Sequence, residues 1–237
     1  MLGDLDYKQV RQMLIRIGLI LLLQLAWIAP LSAEQNVNPG INSNYQDPNV
    51  TQWRGVFERD GREVWDRRED IIRHLALQPG QSVADIGAGT GFFTLLIAKH
   101  VGAQDRVYAV DIAPNFVRAI ENRAAEQGLG NVVGVVNDQK SVRLPPNSVD
   151  LVFISDTYHH FEYPVTTMQS IHRALRPGGE LVLIDFKRVP GFSSPWILSH
   201  VRAGEDTFRG EIESAGFELM QRLDFMQTQY WLRFKKK

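Results

Sequence analysis

Between Val83 and Thr94 the chain reads Val-Ala-Asp-Ile-Gly-Ala-Gly-Thr-Gly-Phe-Phe-Thr. An apolar run carries Asp85 near its end, glycines follow at 87, 89 and 91, and a helical pattern begins. These residues describe a strand, a tight turn and a helix N-terminus, an arrangement that brings backbone close to a nucleotide-like ligand. The spacing also excludes. A dinucleotide fingerprint is G-x-G-x-x-G, whereas here the third glycine falls one residue early and Phe92 occupies its place. That argues against a nicotinamide dehydrogenase.

Around this turn, strands and helices alternate as a doubly wound parallel sheet requires. Strands are expected at Ser82–Ile86, Arg106–Val110, Asn131–Val136, Val149–Ile154 and Glu180–Asp185. Helices are expected at Thr90–His100, Pro114–Gln127, Pro164–Leu175 and Thr207–Ala215, the fourth strand being continuously apolar as in a sheet covered on both faces. Arg176-Pro177-Gly178-Gly179 reads as a helix stop and turn. Two last strands lie near Phe217–Leu223 and Tyr230–Phe234. Upstream, 50–80 is a helical cap with Trp53, Phe57 and Trp65 among charges, and 34–49 is a polar linker or lead-in.

In open parallel sheets, ligands bind beyond the carboxyl ends of the strands. Asp85, Asp111, Asp138, Ser155-Asp156 and Asp185 all stand at such ends. Each acid alone reads as a loop residue or helix cap. Several in register with one glycine turn point to a nucleoside site, with Asp111 about 20 residues after the turn, where an acid accepts from ribose hydroxyls.

The pattern Asp85-x-Gly87-x-Gly89-x-Gly91 resembles motif I of the class I S-adenosylmethionine (SAM) dependent methyltransferases. Leu144-Pro-Pro-Asn-Ser-Val-Asp-Leu-Val152 and Leu175-Arg-Pro-Gly-Gly-Glu-Leu181 extend the resemblance to the type 11 small-molecule group, similar to the quinone-biosynthesis C-methyltransferases. The resemblance implies a Rossmann-like α/β fold whose seven-stranded sheet ends in an antiparallel hairpin. It implies SAM as cofactor and a small-molecule methyl acceptor. Gly87, Gly89 and Gly91 would then admit the ribose and methionine portions. Asp85 would order the turn and face the ammonium through water, and Asp111 would take the ribose diol. Ile112 would lie against adenine, Asp138 would take its amino group, the Gln139 amide would reach a ring nitrogen, and the Ser155 backbone would accept from the ammonium.

Candidates for the chemistry cluster in Asp156-Thr157-Tyr158-His159-His160-Phe161-Glu162. A general base matters only where the acceptor carries a removable proton. His160, then His159 and Asp156, are the candidate catalytic residues, the dull alternative being a packed loop. Two histidines beside an acid also suggest a metal, but no further ligand stands at a standard spacing, so no metal is expected. His200 and Arg202, on the segment after the fifth strand, are candidate substrate contacts, against a solvated helix entry as the bland reading.

Ile17 to Ala29 is almost wholly apolar, preceded by Arg11 and Arg16 and followed by Pro30-Leu31-Ser32-Ala33. A basic start, an apolar core of roughly 13 residues and a small residue before polar sequence describe a secretory signal peptide at 1–33, the alternative being an uncleaved anchor. Asp4 and Asp6 are unusual in such a leader, so translation is expected to begin at Met13. No Lys or Arg follows the apolar run until Arg54, which places the domain outside the cytoplasm, periplasmic or extracellular, with membrane association if the leader persists.

A net charge of −1 gives no nucleic-acid footprint, and zero cysteines exclude disulfides, thiolate metal sites and cysteine nucleophiles. The expectation is an exported SAM-dependent methyltransferase acting on a small molecule. Its rivals are an exported nucleoside- or SAM-binding protein without turnover and a membrane-tethered lipid or quinone methyltransferase.

Overall fold

Residues on the central strands alternate between two cores. Ala84, Ile86, Val152, Ile154, Leu181 and Leu183 join one apolar cluster, whereas Val83, Leu151, Phe153, Val182 and Ile184 join the other. Successive side chains on a strand point to opposite faces, so a strand apolar at every position must be covered twice. The computed structural model, which describes residues 11, 12 and 34–237, shows that covering.

The strands are β1 (Val83–Ile86), β2 (Val107–Asp111), β3 (Val132–Val136), β4 (Val149–Ser155), β5 (Leu175–Phe186), β6 (Phe217–Leu223) and β7 (Gln229–Lys236). They form one sheet in the order β3-β2-β1-β4-β5-β7-β6. All pairs from β3 to β5 are parallel, and β7 runs antiparallel between β5 and β6. The helices are α1 (Val50–Phe57), α2 (Glu63–Asp66), α3 (Arg68–Leu75), α4 (Phe92–Val101), α5 (Pro114–Glu126), α6 (Pro164–Ala174), α7 (Pro195–His200) and α8 (Glu205–Ser214). Ile71, Ile72 and Leu75 of α3 and Phe93 and Ile97 of α4 cover one face of the sheet. Met168 and Ile171 of α6 and Phe208 and Ile212 of α8 cover the other. This is the expected seven-stranded Rossmann-like fold with its terminal antiparallel hairpin. Strand order reverses between β1 and β4, which opens a crevice at their carboxyl ends.

Three boundaries differ from expectation. The Arg176-Pro-Gly-Gly179 stretch lies inside β5, because Leu175 already pairs with Val149 and an irregularity absorbs the glycines before Glu180 meets Leu151. The cap is three helices rather than one, broken at Glu58–Arg62, where Gly61 has φ +84°. The linker is folded onto the domain. Val37 N donates to Glu162 O at 2.9 Å, and Ser43–Tyr45 forms a 3₁₀ turn beside buried Asn42. The expected leader, its cleavage site after Ala33 and the start at Met13 lie outside the described residues, apart from Arg11. No helix among the described residues is long and apolar enough to cross a membrane.

Candidate functional site

A cavity of about 1110 Å³ opens at the carboxyl ends of β1, β2 and β4. Ligand sites run from about 300 to 1000 Å³, so this one has room for a nucleoside and a second molecule. The glycine turn forms its floor. Gly87, Gly89 and Gly91 have φ of +72°, +54° and +80°, a region that strains any residue with a Cβ.

The three glycines serve different ends. A Cβ on Gly87 would sit 2.1 Å from Thr157 Cγ2, and one on Gly91 would sit 2.5 Å from Ile120 Cγ1. Gly91, the N-cap of α4, therefore packs against α5 and does not line the cavity, which corrects its expected cofactor role. Gly87 and Gly89 both line the cavity, and Phe57 stands 3.3 Å from where a Cβ on Gly89 would be.

Asp111 ends β2 beneath that glycine. Its Oδ2 accepts from Gly89 N at 2.8 Å and its Oδ1 from Ala113 N at 2.9 Å. Burial pushes its pKa up to about 6 against the pull of these amides. Asp85 accepts from Thr94 Oγ1 at 2.6 Å. Burial raises its pKa to about 7, with Thr94 opposing and Asp111 adding to the rise. Both carboxyls, Ile112, Gln139 and Ser155 line the cavity. Asp138 also lies on its edge, but its carboxylate is turned into its own loop. It accepts from Lys140 N and Ser141 N and pairs with Arg143, with 44% of its side chain exposed. That is the capping role of an Asx turn, and it leaves the expected adenine contact to other atoms of the loop.

Asp156 adopts φ +49° just after β4. Its buried carboxylate pairs with Arg62 at 2.9 Å, and burial raises its pKa. A carboxylate held by a guanidinium is a structural anchor for the cap, which corrects the expectation of a base there. Arg62 also donates to Phe57 O and lies over the Phe57 and Phe92 rings. Arg123 adds a second clamp, donating to Glu58 and to Thr90 O in the glycine turn.

The histidines do come together. His159 is fully buried; its backbone N and its Nδ1 both meet the Asp185 carboxylate, the ring at 2.8 Å. His160 Nδ1 lies 3.2 Å from Asn42 Oδ1, and its Nε2 lies 3.3 Å from His200 Nε2. Burial, then the neighbouring imidazoles, pushes the His160 pKa down to about 2, so the ring is neutral. A ring so hard to protonate is a weak general base. His200 reaches the cavity from α7, stacked on Trp196 at 4.6 Å. Arg202 does not. It forms a two-pronged pair with Glu211 at 2.8 and 2.6 Å over the Phe208 ring, fixing α8, so its expected substrate role is withdrawn.

Sequence reasoning placed Trp53 and Phe57 on the helical cap, read as packing, and missed Tyr45 as the third ring of the near wall. Tyr45, Trp53 and Phe57 stack in series at 4.8 and 5.0 Å, and Tyr45 meets His160 edge-on at 5.1 Å. The spacing of Trp53 and Phe57, four apart on a helix with no buried residue, was the available signal. Asn42, which donates to Gln139, His160 O and Glu162, gave none.

The residues present suit a nucleoside cofactor. Thr90 Oγ1, Asn137 Oδ1 and Ser155 Oγ are buried polar atoms without a partner, and all three residues line the cavity. Comparison with known proteins agrees. Residues 84–183 match the family model described as methyltransferase domain. This stretch of the chain thus resembles a methyltransferase domain. The chain is 33% identical over 156 residues to a ubiquinone/menaquinone biosynthesis C-methyltransferase, UbiE, of Hydrogenovibrio crunogenus, covering 65% of this chain and 59% of that protein. It is 30% identical over 118 residues to a demethylmenaquinone methyltransferase of Geobacillus kaustophilus, covering half of each. The chain thus spans about half to three-fifths of the length of these curated relatives. Among solved structures, a SAM-dependent methyltransferase from Aquifex aeolicus aligns with TM-score 0.70 at 23% identity, covering 80% of this chain and 99% of that one. A possible exported protein from Bordetella parapertussis aligns with TM-score 0.63 at 17% identity, covering 81% and 80%.

The Asp111 carboxyl sets a pH dependence. A carboxyl raised to about 6 is neutral below that pH and charged above it. Only the charged form offers both oxygens to a diol. SAM affinity is therefore expected to level off only above about pH 7, where Asp85 is also charged, and to fall toward tenfold per unit for the Asp111 step as pH drops through about 6. Calorimetric titrations from pH 5 to 8 check this, and a flat profile would disprove it.

Proposed function

We propose that this protein transfers a methyl group from SAM to a small, ring-bearing acceptor. The observation that carries the reading is that one cavity holds two unlike ends. At one end are the glycine turn, Asp85 and Asp111. At the other, Trp196 and the histidines offer ring faces and imidazole nitrogens, and Tyr45 bridges from His160 towards Asp111. Bound SAM supplies a methyl group on a positively charged sulfur, open to in-line displacement. Asp111 is suited to hold the ribose diol, and Asp85 to face the ammonium. The aromatic wall stacks a flat acceptor, and the clamped cap excludes water, so that positioning supplies much of the acceleration. The relatives' names, which concern quinone biosynthesis, favour a quinol-like acceptor. Exposed Phe192 and Trp196 beside the mouth, 63% and 54% accessible, suit delivery from an apolar phase.

The test is transfer of labelled methyl from SAM to a panel of hydroquinones, catechols and unrelated amines, with calorimetry for SAM and S-adenosylhomocysteine. Methylation of a ring acceptor is expected. SAM binding without turnover on any acceptor would favour a binding protein instead, and absence of binding to either nucleoside would end the reading. For localisation we propose export, resting on Arg11 and Arg16 before the apolar run; reporter fusions after Glu34 that are active only in the cytoplasm would refute it.

A further inference from the structure

The three imidazoles in the cavity are held in one protonation pattern by the groups behind them. Asp185 is fully buried and, as a carboxylate, only accepts, so His159 carries its hydrogen on Nδ1 and keeps a lone pair on Nε2. Asn42 acts likewise on His160. Its amide nitrogen donates to His160 O, Gln139 and Glu162, which leaves its Oδ1 to accept from His160 Nδ1. The Nε2 of His160 then also bears a lone pair, and it lies 3.3 Å from His200 Nε2. Ligand atoms about 2.0–2.1 Å from a tetrahedral ion are about 3.3–3.4 Å apart. One ring nitrogen from each of His159, His160 and His200 falls within 4.8 Å of the others. Imidazoles backed by a carboxylate and an amide oxygen are oriented as metal ligands are.

We infer that His159, His160 and His200 bind a divalent transition ion through their Nε2 atoms, with a fourth position open to the cavity. Neutral imidazoles suit zinc, copper, iron and nickel, and three histidines with an open position are the zinc pattern that accepts an exogenous oxygen. Asp185 and Asn42 orient the ligands, and the Trp196 ring holds His200 against the other two. His200 comes 40 residues after His160, from the segment between β5 and α8, so that segment supplies the third ligand. The open position is where an oxygen of the acceptor would sit; that last role rests on the methyltransferase reading, whereas the ion site does not.

The test uses the full chain without a histidine tag, stripped with chelator and titrated with zinc by calorimetry and with cobalt(II) by visible absorption. One equivalent is expected to bind with Kd below about 1 μM, cobalt giving the intense bands of a tetrahedral imidazole site. His200→Ala and His160→Ala are each expected to lose at least roughly 100-fold in zinc affinity, while exposed His100→Ala behaves as wild type. Far-ultraviolet circular dichroism checks that the variants fold, and the wild-type cobalt spectrum stands whether or not they do. Failure of the wild type to bind one equivalent would overturn the site, as would binding retained in both variants, which would leave only a His200 Nε2–H···Nε2 His160 hydrogen bond. SAM titration of the zinc-free protein reads the cofactor site separately, so the two proposals fail independently.

Discussion

Asp111→Ala is expected to weaken SAM binding roughly 100- to 1000-fold, about 3–4 kcal/mol, the worth of two charge-assisted hydrogen bonds to a diol. The magnitude follows from the position. Asp111 is buried at the carboxyl end of β2, where water competes poorly for its oxygens. The same carboxylate accepts from Gly89 and Ala113, so the alanine variant also leaves two amides without their acceptor. Asp111→Asn separates the two effects, since it keeps the shape and one acceptor and should lose less. Calorimetry at pH 7.5 with a parallel thermal melt is the measurement. Binding within threefold of wild type in a folded Asp111→Ala variant would remove Asp111 from the site.

Gly87→Ala is expected to destabilise the fold by about 3–4 kcal/mol, combining left-handed strain of about 1–2 kcal/mol with overpacking of about 1–3 kcal/mol. The added Cβ would lie 2.1, 2.5 and 2.8 Å from Thr157 Cγ2, Oγ1 and Cβ. Rotating Thr157 cannot relieve the last of these contacts. Thr157→Gly should therefore restore about 1–2 kcal/mol in the double variant, leaving the strain, which is the signature of two sites in direct contact. Gly128→Ala is the control. Gly128 has φ +69° with nothing within 4 Å of where a Cβ would stand, so it should cost only the strain. Urea denaturation measures all four proteins. Equal losses for Gly87→Ala and Gly128→Ala would show that the contact with Thr157 carries no energy.

These predictions fall where a sequence pattern and a tertiary contact meet. The sheet was legible because β1, β4 and β5 are largely apolar along their buried stretches and punctuated by Gly, Pro and Asp at their ends. Local signals of that kind survive folding. The start of β5 was not legible, since Arg176-Pro-Gly-Gly179 has turn chemistry, and only pairing of Leu175 with Val149 draws it into the sheet. Among the acids, Asp85 and Asp111 stand where the motif put them. Asp138, Asp156 and Asp185 diverge because each met a different partner: its own loop amides, Arg62 of the cap, and His159. The partners of Asp156 and Asp185 lie 94 and 26 residues away, so nothing local distinguishes those two acids.

Sequence alone determined the alternating architecture, the glycine turn and the cofactor class, because a backbone that must pass close to a nucleoside has few residue choices. It also named His159, His160 and His200 without relating them. Tertiary structure decided that these three rings share one point, that Arg202 leaves the cavity for Glu211, and that 34–57 forms a wall of the site. The physical reason is the same in each case. A side chain's chemistry is set by the charge, ring or amide packed against it, and those neighbours are chosen by the fold.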